Sequence, residues 1–417
     1  MVLSGFDKEL TVRGMALKSK LVLGLLAAIL AYPIFLQNFD SEVYSFGAPT
    51  LISNLNVSAV YIGLTASGYV TGIVIFSLIG GYLFDRVSPK IAIILGLGIF
   101  SLFSALSGYS STALELVTFR ILDGVGVSIF QVSSASYLGE ALPITRGRLL
   151  SLSVLLGGLG LFAAPFLVAP FRGHISLPFT MAGLLGLAGI VLFILFLPGK
   201  FKSEVKLETH KYSLAALKNR NVLLGSLSII PFGFALFAEV SYVPLYFQNV
   251  LNLPSFQDTL AVSAFGIAPF IFAIPVGILS DKVGRKPFIL LAAAFQIIAG
   301  FALFVFHPPF ALALVLNAMY GFGWGIYFMN MVAIMLDSVP VSVAGLSVGM
   351  LYTTFNIGAA FGGPVMGSLI SISWPVAGSL SVGMVSILTF IIALPLKERI
   401  SKVTEEMKEV KIEEAPA

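Results

Sequence analysis

The chain has 417 residues, of which 58% are hydrophobic and 11% charged, with a mean hydropathy of +1.00 and a formal charge of +4. Soluble domains carry roughly a quarter charged residues, so this composition excludes a soluble globular protein and places the chain in a bilayer. Cysteine is absent, and His174, His210 and His307 stand far apart, which argues against disulfides, thiol chemistry, a metal or a cofactor; no basic stretch is interleaved with aromatics, so nucleic acid is not an expected partner.

Apolar runs of about 20 residues, each able to cross roughly 30 Å of hydrocarbon, recur about twelve times. Residues 1–20 hold Asp7, Lys8, Glu9, Arg13, Lys18 and Lys20 and do not read as a cleavable signal. The runs divide the chain into a first bundle (1–197), a polar linker (198–220) suited to a short amphipathic surface helix, a second bundle (221–396) and a charged tail (397–417). Both termini, the linker and the 2–3, 4–5 and 8–9 turns collect 22 of the 24 Lys and Arg, which makes that side cytoplasmic by the positive-inside rule. The expectation is a multi-pass plasma-membrane protein with both termini inside the cell.

Helix 1 starts after Lys20 and is apolar to Leu36, then continues QNFDSEVYSFGAPTL without a clear turn. Either it ends near Gln37, leaving Asp40 and Glu42 in an outer loop, or it runs on and carries both acids inside the membrane. An ionised acid at mid-membrane costs about 2.5–3.5 kcal/mol on insertion scales, so such residues usually face a cavity, find a partner or carry a proton.

The turn between helices 2 and 3, GGYLFDRVSPK (80–90), returns as VGILSDKVGRK (276–286) between helices 8 and 9, with Asp85 and Asp281 separated by 196 positions. A recurrence at half-chain spacing marks a duplicated bundle. Gly81 and Gly277 permit close backbone approach, while Asp85, Arg86, Asp281, Lys282 and Arg285 sit at helix ends against the anionic leaflet, where they either gate the bundle or only fix its topology.

On helix 4, Arg120 lies 20 residues from Glu140, and on helix 1 Asp40 lies 20 residues from Lys20; at 1.5 Å per residue both reach the same depth, about 30 Å from the cytoplasmic end. They are expected to pair, for proton coupling or simply to fix helix 1 against helix 4. Asp123, three residues on, competes for the same guanidinium. Arg146 marks the cytoplasmic end of this segment. GGLGLFAAP (157–165) on helix 5 and NIGAAFGGPVMG (356–367) on helix 11 offer small residues for close packing and prolines for bends.

The second half repeats the first with loss of charge. Glu239 follows Glu42 by 197 positions, and Asn317, Gly321 and Gly323 follow Arg120, Gly124 and Gly126 by the same interval. Glu239 is a further acid for a proton or cation, or a residue near the outer surface. Tyr242, Tyr246, Gln248, Asn317, Tyr320, Trp324 and Asn330 are the polar and aromatic candidates for a mid-membrane substrate site, each equally open to a packing or interface role.

Together the paired turns, with Gly81, Asp85, Arg86 and Lys90 in the first copy and Asp281, Lys282, Gly284, Arg285 and Lys286 in the second, resemble the signature of the major facilitator superfamily, although Ser88 and Pro89 replace a Gly and a base in the first. Arg120, Gly124, Gly126, Glu140, Pro143, Arg146 and Gly147 resemble the helix 4 signature of its proton-coupled metabolite symporters. The resemblance implies an all-α integral membrane protein, with twelve transmembrane helices in two pseudo-symmetric six-helix bundles. It further implies a secondary transporter, not an enzyme, working by alternating access on a small-molecule substrate and protons, usually as a monomer. The coupling pair carries over to Asp40 and Arg120, with Glu42 as rival. The glycine–proline helices look like those of multidrug–proton antiporters, so efflux is an alternative; a passive uniporter or transporter-like sensor is the reading from another class.

Overall fold

The structure, a computed structural model, describes residues 11–12, 15–16, 20–86, 89–141, 146–171, 173–196, 219–339 and 341–398, without the side chains of 11–12, 15–16, 20–27, 77–86, 89, 132, 135–141, 146–151 and 341–345. The expected linker and most of the tail lie outside these residues. Apart from a small ribbon pairing Thr11–Val12 with Met15–Ala16, the described elements are helices.

The first six helices are α1 (Lys20–Leu55), α2 (Ala59–Arg86), α3 (Pro89–Ser107), α4 (Ala113–Ala141), α5 (Arg146–Val168) and α6 (Ser176–Phe196). The second six are α7 (Arg220–Asn249), α8 (Ser255–Val283), α9 (Lys286–Phe306), α10 (Phe310–Asp337), α11 (Val341–Ile370) and α12 (Trp374–Ala393), the last with a π-helical turn over Ser379–Met384. Nine of these, all but α1, α4 and α11, are long and apolar enough to cross a membrane by length and composition among the described residues. Helices are the form this composition must take in lipid, because every backbone polar group is then bonded within its own segment. Large apolar side chains such as Leu102, Ile298 and Phe361 are exposed on the outside, where hydrocarbon rather than water is their solvent.

The duplication survives in the geometry. Pro89 and Lys286 open α3 and α9, and Ala113 and Phe310 open α4 and α10, each pair 197 positions apart. Beyond the ends of α1 and α7, Asn56 and Asn252 both adopt left-handed backbone, with φ of 50° and 51°; asparagine tolerates this conformation better than most residues, so the same residue turns the chain at the same place in both bundles. Asn219 caps α7 by accepting from the N–H groups of Asn221 and Val222, as an N-terminal cap should.

Within each bundle α4 packs on α2 and α3, and α10 on α8 and α9; between bundles α5 packs on α8 and α2 on α11. Glycine makes the inter-bundle contacts possible. A Cβ on Gly158 would stand 2.7 Å from the Phe270 nitrogen of α8, and one on Gly63 would collide with the Gly363 carbonyl of α11. Gly124 and Gly126 serve the same purpose inside the first bundle, against the backbones at Tyr69 and Phe100.

Candidate functional site

Helix α1 continues to Leu55, so Asp40 and Glu42 both lie inside it rather than in a loop, and both are buried. Asp40 and Tyr44, four residues apart, share one face of α1, and Arg120 and Asp123, three apart, share one face of α4. These faces meet. Arg120 Nη1 donates to Asp40 Oδ2 at 2.5 Å and to Asp123 Oδ2 at 2.6 Å, while Ser104 Oγ of α3 donates to Asp40 Oδ1 at 2.6 Å. The guanidinium carbon lies 4.4 Å from the centre of the Tyr69 ring of α2 and 5.0 Å from that of Tyr44, close enough for cation–π attraction. Asp40, Arg120 and Asp123 are all essentially inaccessible, at 0%, 1% and 0%.

This cluster holds two carboxylates and one guanidinium. With all three ionised it carries one excess negative charge away from water, which is costly unless something balances it. Arg120 Nε and Asp123 Oδ1 have no hydrogen-bond partner, so the ion pair is not saturated.

Glu42 is two residues beyond Asp40, about 200° around the helix, and turns to the other bundle. It is near enough to Glu239 of α7 and Asp258 of α8 for their charges to interact. Glu239 is 1% exposed and neither carboxylate oxygen is hydrogen-bonded; Asp258 Oδ2 accepts from Gln248 Nε2 at 2.9 Å.

Between the bundles lies a cavity of about 140 Å³, an order of magnitude more than the roughly 10–15 Å³ that one water needs. The first bundle contributes Gln37, Asn38 and Ser41 of α1, Tyr69 of α2, and Arg120 and Gln131 of α4. The second contributes mainly rings: Phe237, Phe265, Trp324, Phe328 and Phe355, with Tyr352 and Asn356 beside them. Arg120, Tyr44 and Tyr69 line the cavity whereas Asp40 and Asp123 do not, so the acids sit behind the guanidinium.

Of the seven residues singled out in the sequence for substrate contact, Trp324 lines this cavity. Tyr246 donates to the Leu303 carbonyl and lies 2.7 Å from His307 Nδ1; Asn317 donates to the Ala261 carbonyl and Asn330 to that of Ile326; Tyr320 is buried against Phe265. Tyr242 spans the seam between bundles, donating to the Ala59 carbonyl at 2.8 Å and accepting from the Gly63 N–H at 3.0 Å. Ser67 Oγ also crosses this seam to the Ala360 carbonyl. The seam lies toward the face that carries the α1–α2 and α7–α8 connections.

At the other face, Gly81, Asp85 and Arg86 fall in the last turns of α2 and Arg146 opens α5, with side chains outside the described residues. The second copy of the turn is fully described. Gly284 has φ of 108°, Arg285 bridges Asp281 and Asp337 at 2.8 Å each, and Glu398 accepts from the N–H groups of Arg285 and Lys286. Gly277 is buried, its carbonyl accepting from Ser280, and Lys282 is exposed. These contacts lie within the second bundle except those of Glu398, which tie the start of the tail to it. Residues missed in the sequence are Gln37, Gln131 and Ser104; a lone amide or hydroxyl inside an apolar helix was the available signal.

The sequence model of the Major Facilitator Superfamily matches residues 30–362 and again 255–416, and the chain belongs to that superfamily. It is similar to the riboflavin transporter RibZ of Clostridioides difficile (strain 630), with 23% identity over 389 residues covering 80% of this chain and 85% of the relative. The cis,cis-muconate transport protein of Acinetobacter baylyi is also 23% identical, over 368 residues covering 84% of this chain and 87% of its own. Among solved structures, that of a D-xylose–proton symporter superposes with a TM-score of 0.73 at 18% identity, covering 90% of this chain and 97% of its own. The protein is therefore a multi-pass membrane transporter and not an enzyme.

Proposed function

We propose that this transporter couples movement of its solute to protons, as a symporter of the plasma membrane with both termini cytoplasmic. The observation that carries this reading is the buried cluster of two carboxylates on one guanidinium, Asp40 and Asp123 on Arg120. One proton on the cluster removes its excess charge, and a proton arriving or leaving changes how tightly α1 and α4 are held. The carboxylates lie behind Arg120 at the cavity wall, so solvent in the cavity is the route by which a proton reaches them. Glu42 and Glu239, which approach each other across the bundle boundary, are the second place where a proton is taken up when the halves close and given up when they part.

In this mechanism the seam at Tyr242 and Gly63 is the extracellular closure, and the turns around Asp85, Arg86, Arg146, Gly277, Asp281, Lys282 and Arg285 work at the cytoplasmic face. Protonation of Asp40 weakens its hold on Arg120 and lets the bundles rock about the central cavity. The test is solute uptake into proteoliposomes with the external pH lowered at constant internal pH. Uptake above the equilibrium level establishes coupling; equilibration to equal concentrations at every pH gradient leaves only passive transport.

A further inference from the structure

The geometry points to a neutral, planar heteroaromatic solute with an amide- or imide-like edge as the occupant of the cavity, and to rejection of the corresponding carboxylate. This rests on the cavity being the transport site, but not on proton coupling.

Charge decides the first half of the argument. Arg120 is the one charged residue among the described residues lining the cavity. Its Nη1 is already shared by Asp40 and Asp123, and its planar face lies against the Tyr69 and Tyr44 rings. A carboxylate ligand is best recognised by an Arg fork that offers two parallel N–H donors. Arg120 Nε is unpaired, but a carboxylate there would add a third negative charge to a guanidinium that already balances only one of its two buried acids. An organic cation fares no better, because no described carboxylate lines the cavity; Asp40, Asp123, Glu42 and Glu239 all lie elsewhere.

Hydrogen bonding decides the second half. Gln37 and Gln131 face the cavity from α1 and α4, and neither amide is paired with a described protein group. Asn38 and Asn356 each donate one amide hydrogen to the carbonyls of Ile34 and Tyr352, at 2.8 Å each, which leaves each a second N–H and its carbonyl oxygen. This set of four amides, each able to donate and to accept, matches a ligand edge with both N–H and C=O groups; an ionised carboxylate is acceptor-only and leaves the amide oxygens without donors. Across from these amides, the Phe265 and Trp324 rings are 5.8 Å apart and inclined at 31°, and Phe328 meets Phe355 edge to face at 5.5 Å, so the second bundle offers ring faces and edges against which a planar ring system can stack.

The chain has two tryptophans, Trp324 in the cavity and Trp374 against Tyr246. In the full-length Trp374→Phe variant, Trp324 is the single reporter. We would titrate purified protein with nicotinamide, nicotinate and 1-methylnicotinamide, which share one ring and differ in charge, with uracil against orotate, and with lumichrome as a larger neutral ring system. Ligand-induced thermal stabilisation serves as a readout independent of fluorescence. The expected result is saturable binding of at least one neutral compound, at least tenfold tighter than its charged counterparts, and roughly a tenfold loss for Gln37→Leu or Gln131→Leu at unchanged thermal stability without ligand. Equal or tighter binding of a carboxylate or cation overturns the proposal, as does no saturable binding of any neutral member at millimolar concentration. A neutral solute that binds but moves without protons would instead leave this proposal standing and remove proton coupling.

Discussion

Tyr242 and Gly63, from opposite bundles, share a hydrogen bond, and the same hydroxyl reaches the Ala59 carbonyl one helical turn earlier. The Tyr242 hydroxyl accepts from the Gly63 N–H at 3.0 Å and donates to the Ala59 carbonyl at 2.8 Å. These two bonds tie α7 to the first turn of α2.

Tyr242→Phe removes both bonds at the cost of about 1 kcal/mol each, which shifts a two-state equilibrium by roughly fivefold or more toward the conformer open at this face. Because the chain has no cysteine, spin labels placed through Ser58→Cys and Ser371→Cys can report the seam by their distance distribution. The variant is expected to populate the longer distance more than the parent; an unchanged distribution would show that the hydroxyl does not hold the seam.

Gly63→Val is expected to act on the same seam from the other side. Its side chain would enter the space of the Gly363 and Pro364 backbone on α11, which cannot yield as a flexible side chain can. Transport should fall at least tenfold while protein abundance in the membrane is kept, and the spin-label pair should read the open distance predominantly.

Arg120→Leu leaves Asp40 and Asp123 buried without a counter-ion. Breaking a buried pair by removing one partner costs about 3–5 kcal/mol, so the thermal midpoint of the purified protein should drop by several degrees. Adding Asp40→Asn and Asp123→Asn to Arg120→Leu should restore much of that loss but not transport, which separates the structural role of the cluster from its functional one.

Arg285→Ala cuts the bridges to Asp281 and Asp337, of which Asp281 is 58% exposed and Asp337 36%. Exposed pairs of this kind contribute about 0–1 kcal/mol. The expected outcome is a small change in thermal midpoint; a change in transport rate well beyond it would mark the turn as part of the moving parts.

The twelve-helix plan was legible because apolar run lengths and the 196–197 residue repeat need no three-dimensional knowledge. Asp40 and Arg120 were legible too, by counting residues from the cytoplasmic end of each helix. Which face of a uniformly apolar helix turns inward was not, since polar and apolar residues contrast weakly around its circumference. Thus Tyr246, Asn317 and Asn330, polar residues in the right part of the sequence, bond to backbone away from the cavity, while Gln37 and Gln131 line it. The end of α1 was left open, at Gln37 or beyond Glu42, for a related reason: Gln37, Asn38, Asp40 and Ser41 are polar enough for a loop, and the groups that satisfy Asp40 within the helix, Ser104 and Arg120, come from other helices.

The most direct test of the account is proton movement into proteoliposomes that enclose a pH-sensitive dye, on adding the transported solute, for the parent chain and for Asp40→Asn. Solute-driven internal acidification in the parent, abolished in Asp40→Asn while solute exchange between the two sides persists, is the predicted result. Acidification of equal size in Asp40→Asn would contradict the assignment of the Asp40–Arg120 cluster as the coupling site.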